Sequence, residues 1–259
     1  MNNLLNPVDW HEQQLRQYFQ QFDLPPGTNP INEPLNILIF VNRSGSSLIA
    51  EYLRATGQFS GFGEPLNHEQ VIEQSEKFGI TTFAGYLRWL IEYTQQPGTQ
   101  FGIKASHGQV LMLLRSGAIP RYFNNVRWIF VQRMDVLSQA VSFCIADQTK
   151  QWDSSQAKSG KAPAYDFETI RDRVLSISDA YSASLALMGL RGITPYHLTY
   201  EQFLLDPQQE TRKLSSFLGV DHVVVDTDKL RMEKQADAIN DAFRTRFIGD
   251  FQSWLAAQI

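Results

Sequence analysis

"FVNRSGSSLIAEYL", residues 40–53, decides how this chain is read. The apolar run LNILIFV (35–41) enters a polar turn of one arginine, one glycine and three serines. It emerges in a segment with Leu48, Ile49, Tyr52 and Leu53 at helical spacing, closed by Gly57. A short apolar run bounded by turn residues reads as a buried strand, and a 3.6-residue period reads as a helix with a glycine stop. A strand-turn-helix of this kind gathers free backbone N–H groups and the positive end of a helix dipole around residues 43–47, which favours a phosphate or sulfate there. On the residues alone, a plain serine-capped helix start satisfies the same pattern. The turn is not a Walker loop, because no lysine follows Gly45 in a Gly-x4-Gly-Lys-[Ser/Thr] frame, and this disfavours ATP or GTP hydrolysis.

Outward from that turn, "FGIKA" near 101, "RWIFVQ" (127–132) and "TPYHLTY" (194–200) read as further strands separated by amphipathic helices. Such alternation predicts an α/β fold, a P-loop-like parallel sheet flanked by helices on both faces. Ahead of it, residues 1–23 carry Trp10, Leu15, Phe19 and Phe22 at mostly helical spacing, and "DLPPGTNPINEP" then breaks the chain with four prolines. The expected division is therefore an N-terminal helical extension and Pro-rich linker, 1–34, and a main domain, 35–259. The small, polar stretch "DSSQAKSGKAPA" (153–164) reads as a surface loop, with lid and plain connector both open. "YLRWLIEY" (86–93) reads as one buried helix face, and Gln148 and Trp152 share a face if the helix from 136 continues that far.

At 259 residues, 43% hydrophobic and 19% charged, the chain has material for one large core or a core with a small lobe. Its net charge of −4 and lack of a basic stripe exclude a nucleic-acid partner. No apolar run approaches the roughly 18–20 residues of a membrane span, and the N-terminus has no leader pattern, so a cytoplasmic location is expected. Cys144 is the single cysteine and sits among apolar neighbours, which predicts a buried thiol rather than a nucleophile and rules out an intramolecular disulfide. The five histidines are dispersed, and no metal site is expected.

Four segments, in order across residues 36–250, resemble sulfotransferases that use 3′-phosphoadenosine 5′-phosphosulfate (PAPS). They are "RSGSS" (43–47), "FVQRMDVLSQAVSF" (130–143), "LTYEQFLLDPQQETRKLSSFLGV" (198–220) and "RMEKQADAINDAFRTRF" (231–247). The Gln-Ala-Asp stretch, "QAVS" and "QTKQW" (148–152) resemble the trehalose 2-sulfotransferase branch in particular. The resemblance implies the sulfotransferase fold, PAPS as co-substrate leaving 3′,5′-ADP, no metal, and a homodimer. It further implies that Arg43, Ser44, Gly45, Ser46 and Ser47 grip the 5′-phosphosulfate. Arg133 and Ser142 would bind the 3′-phosphate, Tyr200 would lie beside the adenine, and Arg231, Lys234 and Gln235 would add further 3′-phosphate contacts. Arginine suits a phosphate because its planar fork binds bidentately, whereas Asp135 reads as the N-cap of the helix that carries Ser142.

Sulfuryl transfer is an in-line displacement, so catalysis rests on positioning and on stabilising charge at the leaving oxygen, which Arg43 and the loop N–H groups can supply without a metal. The acceptor hydroxyl needs a base, sought in the loop after the first βα unit, "SGFGEPLNHEQ" (60–70). The resemblance assigns that role to Glu64, with Glu69 and His68 in reserve, and a plain turn residue before Pro65 stays open. Lys104, at a strand end, would hold the transferring sulfo group or orient the acceptor, with a snorkelling surface lysine as the other reading. The function expected is transfer of a sulfo group from PAPS to a hydroxyl of a carbohydrate, glycolipid or small metabolite. A P-loop-like nucleotide kinase, or a catalytically inactive nucleotide-binding protein of the same fold, is the alternative.

Overall fold

The computed structural model describes residues 8–152, 162–231 and 238–257. Its five strands are β1 (Leu35–Ile39), β2 (Phe59–Gly63), β3 (Gln100–Ala105), β4 (Val126–Gln132) and β5 (Tyr196–Thr199). They form one sheet of order β2-β3-β1-β4-β5 in which every pair is parallel. Helices α1 (Trp10–Tyr18), α2 (Ser46–Ala55), α3 (His68–Phe78), α4 (Phe83–Thr94), α5 (His107–Arg115), α6 (Val136–Thr149), α7 (Phe167–Arg191), α8 (Tyr200–Leu205), α9 (Pro207–Phe217) and α10 (Ala238–Ala256) flank it. The α/β architecture expected from the alternation is the one the chain adopts.

The central strand β1 is buried along its whole length, as a parallel strand covered on both faces must be. Its alternate residues face opposite ways. Leu35, Ile37 and Ile39 join a large core with α4–α7, while Leu38 joins a smaller one with α2 and α9. The one polar residue in β1, Asn36, is fully buried and donates from its amide to the Phe101 carbonyl (3.0 Å) and to Gln100 Oε1 (3.2 Å). That satisfies a group that would otherwise oppose burial.

Strand β2 occupies a stretch the sequence reads as loop. Its glycines erase the apolar alternation, and a bulge falls between Gly61 and Gly63. Phe62, at φ +54°, lays its ring where a side chain on Gly102 would stand. An edge strand assembled on glycine contacts has no hydropathy period to detect.

In the N-terminal segment, residues 1–7 lie outside the described residues. The helix is shorter than the 1–23 pattern: Asp9 caps α1, accepting from the His11 N–H (2.8 Å), and beyond Tyr18 the chain is irregular, with Gln21 bridged to Thr82. Leu15, Phe19, Phe22 and Leu24 belong to the large core, and Phe22 stacks on Phe83 with centroids 4.6 Å apart. Glu12 is fully buried and accepts from Arg16 Nε (2.9 Å) and Arg115 Nε (2.9 Å), fastening α1 to α5. Helix α4 buries Phe83, Tyr86, Leu87 and Leu90 but leaves Tyr93 exposed, so "YLRWLIEY" is not wholly one buried face. Cys144 is buried. Among the described residues no helix is long and apolar enough to cross a membrane.

Candidate active site

Ligands of open parallel sheets bind beyond the carboxyl ends of the strands. A cleft of about 1190 Å³ lies there, with walls from the turns after β1, β2, β3, β4 and β5.

The first turn leaves β1 through two left-handed residues, Arg43 (φ +66°) and Gly45 (φ +87°), before α2 begins at Ser46. Gly45 is the N-cap and offers no side-chain cap, which argues against the plain serine-capped start. Ser44 Oγ is buried with no hydrogen-bond partner, and Ser46 is buried at the first helical position. Uncapped N–H groups at a helix start, beside an orphaned hydroxyl, suit an anion.

Across from it, Arg133 leaves β4. Its guanidinium lies over the Tyr200 ring (5.1 Å to the centroid), and its Nε is buried without a hydrogen-bond partner. Tyr200 is the first residue of α8, which begins with a capping box between Thr199 and Gln202. The Tyr200 ring rests against Gly45, where a Cβ would come within 2.8 Å of Cε2 and nearer still to Cδ2. Asp135 caps α6, accepting from the Ser138 N–H (2.9 Å) and hydroxyl (2.7 Å). Burial works against its charge, but the Ser138 bonds, with Arg244 and Arg133 nearby, prevail and hold the carboxyl below its usual range.

The expected residues meet in an order the sequence does not show. Ser142 accepts from Arg43 Nε (3.0 Å), and the Arg43 guanidinium also donates to the Trp152 carbonyl. Helix α6 stops at Thr149, so Gln148 and Trp152 share no helix face. Trp152 lines the cleft, whereas Gln148 exchanges bonds with the Ala164 backbone. Lys104 is 5% exposed, which removes the snorkelling reading, and its Nζ donates to both Ser47 Oγ and Glu64 Oε1 at 2.8 Å. Glu64 faces Lys104 from an exposed position after β2, with Phe40 lying 5.1 Å beneath the ammonium. Of the reserves, Glu69 is exposed in the first turn of α3, and the His68 ring bonds to His11. Arg231 is exposed, donates its backbone N–H to Glu51 Oε1 (2.8 Å), and is not among the cleft-lining residues. Lys234 and Gln235 lie outside the described residues, as do 153–161 of the 153–164 loop.

Sequence reasoning passed over several residues. Gln139, fully buried, accepts from the Tyr181 hydroxyl (2.9 Å) and donates to the Asn42 carbonyl (2.8 Å), while Tyr181 accepts from the Arg133 N–H (2.8 Å). This chain ties the first turn to the end of β4. Glu201 accepts from the Met134 and Asp135 N–H groups (3.1 and 3.2 Å) and ties α8 to the same turn. Asp9 and His11 also line the cleft. Only Gln139 left a trace, a polar residue beside the apolar "AVSF".

A solved structure, the sulfotransferase domain from the Synechococcus PCC 7002 olefin synthase, superposes with a TM-score of 0.50 at 14% identity, covering 88% of this chain and 91% of that one. At that identity the likeness shows the fold. Residues 111–250, more than half of the sequence, match the family described as Stf0 sulphotransferase. The chain belongs to the Stf0 sulphotransferase family. It is a sulfotransferase enzyme of the branch that the sequence resemblance named. No curated protein matches the chain. Arg133, Ser142 and Tyr200 fall inside the matched stretch of this Stf0 sulphotransferase. Arg43, Glu64 and Lys104 precede it, and it is the geometry that joins them to Ser142 and Ser47.

Proposed function

We propose that this sulfotransferase moves a sulfo group from PAPS to a hydroxyl of a small neutral acceptor, a carbohydrate or similar metabolite, with Glu64 as base. The observation that carries the reading is the bridge made by Lys104, which holds Ser47 of the anion cradle and Glu64 of the opposite wall at 2.8 Å each. Cation, cradle and carboxylate converge on one point, where a hydroxyl and a sulfo group have to meet.

The residues present fit the donor. Two orphaned buried polar atoms, Ser44 Oγ and Arg133 Nε, flank a slot floored by Tyr200, and a pair of anions joined by a flat base would satisfy both. PAPS, when bound, supplies the sulfo group and leaves as 3′,5′-ADP. Arg43 and the first N–H groups of α2 stabilise charge on the leaving oxygen, preorganised by Ser142 and the Trp152 carbonyl. Arg133 and the hydroxyl of Ser142 hold the 3′-phosphate, and Tyr200 stacks beneath the adenine. Glu64 receives the acceptor proton as the new S–O bond forms and the old one breaks, and Lys104 both steadies Glu64 and faces the sulfo oxygens. One buried cysteine and no disulfide framework support the cytoplasm as its compartment.

The test is thermal. In this reading 3′,5′-ADP raises Tm by mass action and ATP with Mg²⁺ does not. Equal shifts from both ligands, or no shift from either, count against it.

A further inference from the structure

The strand order divides the cleft. The turns after β1, β4 and β5 carry Arg43, Arg133 and Tyr200, the half given above to the donor. The half over β3 and β2 is lined by Glu64, Asn67, Ser106, Gln109, Asp9 and His11, and the last two come from the start of α1. We propose that His11, locked against His68, binds the acceptor, and that the wall it makes with Asp9 selects a neutral polyhydroxylated molecule. This rests on the donor reading of the other half.

The His11 tautomer follows from its bonds. His11 Nδ1 lies 2.8 Å from His68 Nδ1 and also receives the His68 backbone N–H at 3.2 Å. A ring nitrogen that accepts a backbone N–H carries no proton, so His68 Nδ1–H donates to it and neutral His11 keeps its proton on Nε2. Burial, reinforced by His68 and opposed by Asp9, Glu69 and Glu64, lowers the proton affinity of His11 and preserves this neutral donor. Its neighbours are of mixed polarity. Asn67 Oδ1 is taken by the Glu69 N–H (3.1 Å), and the Ser106–Gln109 capping box takes Ser106 Oγ and Gln109 Oε1 as acceptors. The box leaves the Ser106 hydroxyl hydrogen and the Gln109 amide hydrogens to give. Asp9 and Glu64 supply acceptor oxygens. Hydroxyls donate and accept together and match such a wall, whereas two carboxylates repel an anionic acceptor.

The wall is also built to stay in place. Glu12, one residue from His11, is fully buried with Arg115 and Arg16, an arrangement that is costly unless every partner is present. Asp9 lies flat on α5, where a Cβ on Gly108 would come within 2.9 Å of Asp9 Cγ.

The experiment uses the full chain, with glucose, trehalose and myo-inositol as neutral probes, and glucose 6-phosphate and 4-nitrophenol as controls. Titration of the His11 and His68 imidazole signals by NMR, without donor, reads the wall directly. At least one polyol is expected to move both signals, and neither control to do so. In sulfo transfer from PAPS, His11→Ala should raise KM for that polyol at least ~10-fold with the 3′,5′-ADP thermal shift unchanged. His11→Gln, which keeps an N–H donor, should recover part of the loss. Signals unmoved by every polyol, movement only with a control, or an unaltered polyol KM in His11→Ala overturn the proposal. If wild-type protein shows no 3′,5′-ADP shift, the donor reading falls while the NMR titration still decides the wall. If His11→Ala does not fold, the same titration decides.

Discussion

Gly45 and Tyr200 share one space: the Tyr200 ring fills the position that any side chain on Gly45 would take, and Gly45 holds a left-handed φ of +87°. The residue that starts the anion cradle is thereby coupled to the floor of the adenine slot, 155 residues away in sequence. Both features demand glycine. In Gly45→Ala the strained φ alone costs about 1–3 kcal/mol, and the ring has to move as well. A lower Tm and at least ~10-fold weaker 3′,5′-ADP binding by calorimetry are expected; unchanged binding would remove Tyr200 from the donor site.

The Lys104 bridge separates two roles. Glu64→Gln should retain the 3′,5′-ADP thermal shift and KM for PAPS while kcat falls ~10²–10⁴-fold, the span of general-base contributions. Lys104→Met takes away the cation that touches both Ser47 and Glu64. It should depress kcat and weaken PAPS together. Matching kinetic profiles for the two variants would refute this division of labour.

Tyr181 acts on the donor site through Arg133 and Gln139. Tyr181→Phe leaves the Arg133 N–H and Gln139 Oε1 without their partner. The loss of a buried pairing costs about 1–3 kcal/mol. KM for PAPS should rise more than kcat falls, because the first turn loosens while Glu64 is untouched. Burial raises the hydroxyl's pKa and keeps it protonated, so wild-type PAPS affinity should show no Tyr181 step on the alkaline side. A fall in kcat alone, with KM unchanged, would show that the link does not position Arg133.

Stability should decline on the acid side. Burial lowers the pKa of His11 and of His107, opposed at His11 by Asp9, Glu69 and Glu64 and at His107 by Asp9, with His68 adding to the drop at His11. The unfolded chain then binds protons first, so Tm falls as pH drops below the ordinary histidine value of about 6.5 and levels off below the folded values. Melting curves from pH 8 to 5 read the slope. The double variant His11→Gln, His107→Gln should flatten it; an unchanged slope would place the titration elsewhere.

Local patterns carried most of the architecture. β1 and β4 are uninterrupted apolar runs because both of their faces are covered, and the turns that follow them show arginine and serine at helix starts. β2 was hidden, since its register depends on Gly61 and Gly102 making room for backbone and for Phe62. In the site, Arg43, Arg133, Ser142, Tyr200, Glu64 and Lys104 were each nominated from short segments. Their pairing was not legible, because Arg43 meets Ser142 across 99 positions, and Lys104 meets Ser47 across 57.

By itself the sequence determined which residues could carry the chemistry: hydrophobic period and turn composition are local properties, readable one segment at a time. Only the tertiary structure decided who stands beside whom. The strand order β2-β3-β1-β4-β5 sets the cradle between Arg133 on one flank and Lys104 on the other, and a buried carboxylate at Glu12 brings α1 to the cleft. Those neighbours are chosen by packing and by the need to satisfy buried charge, energies summed over the whole chain and written in no single stretch of it.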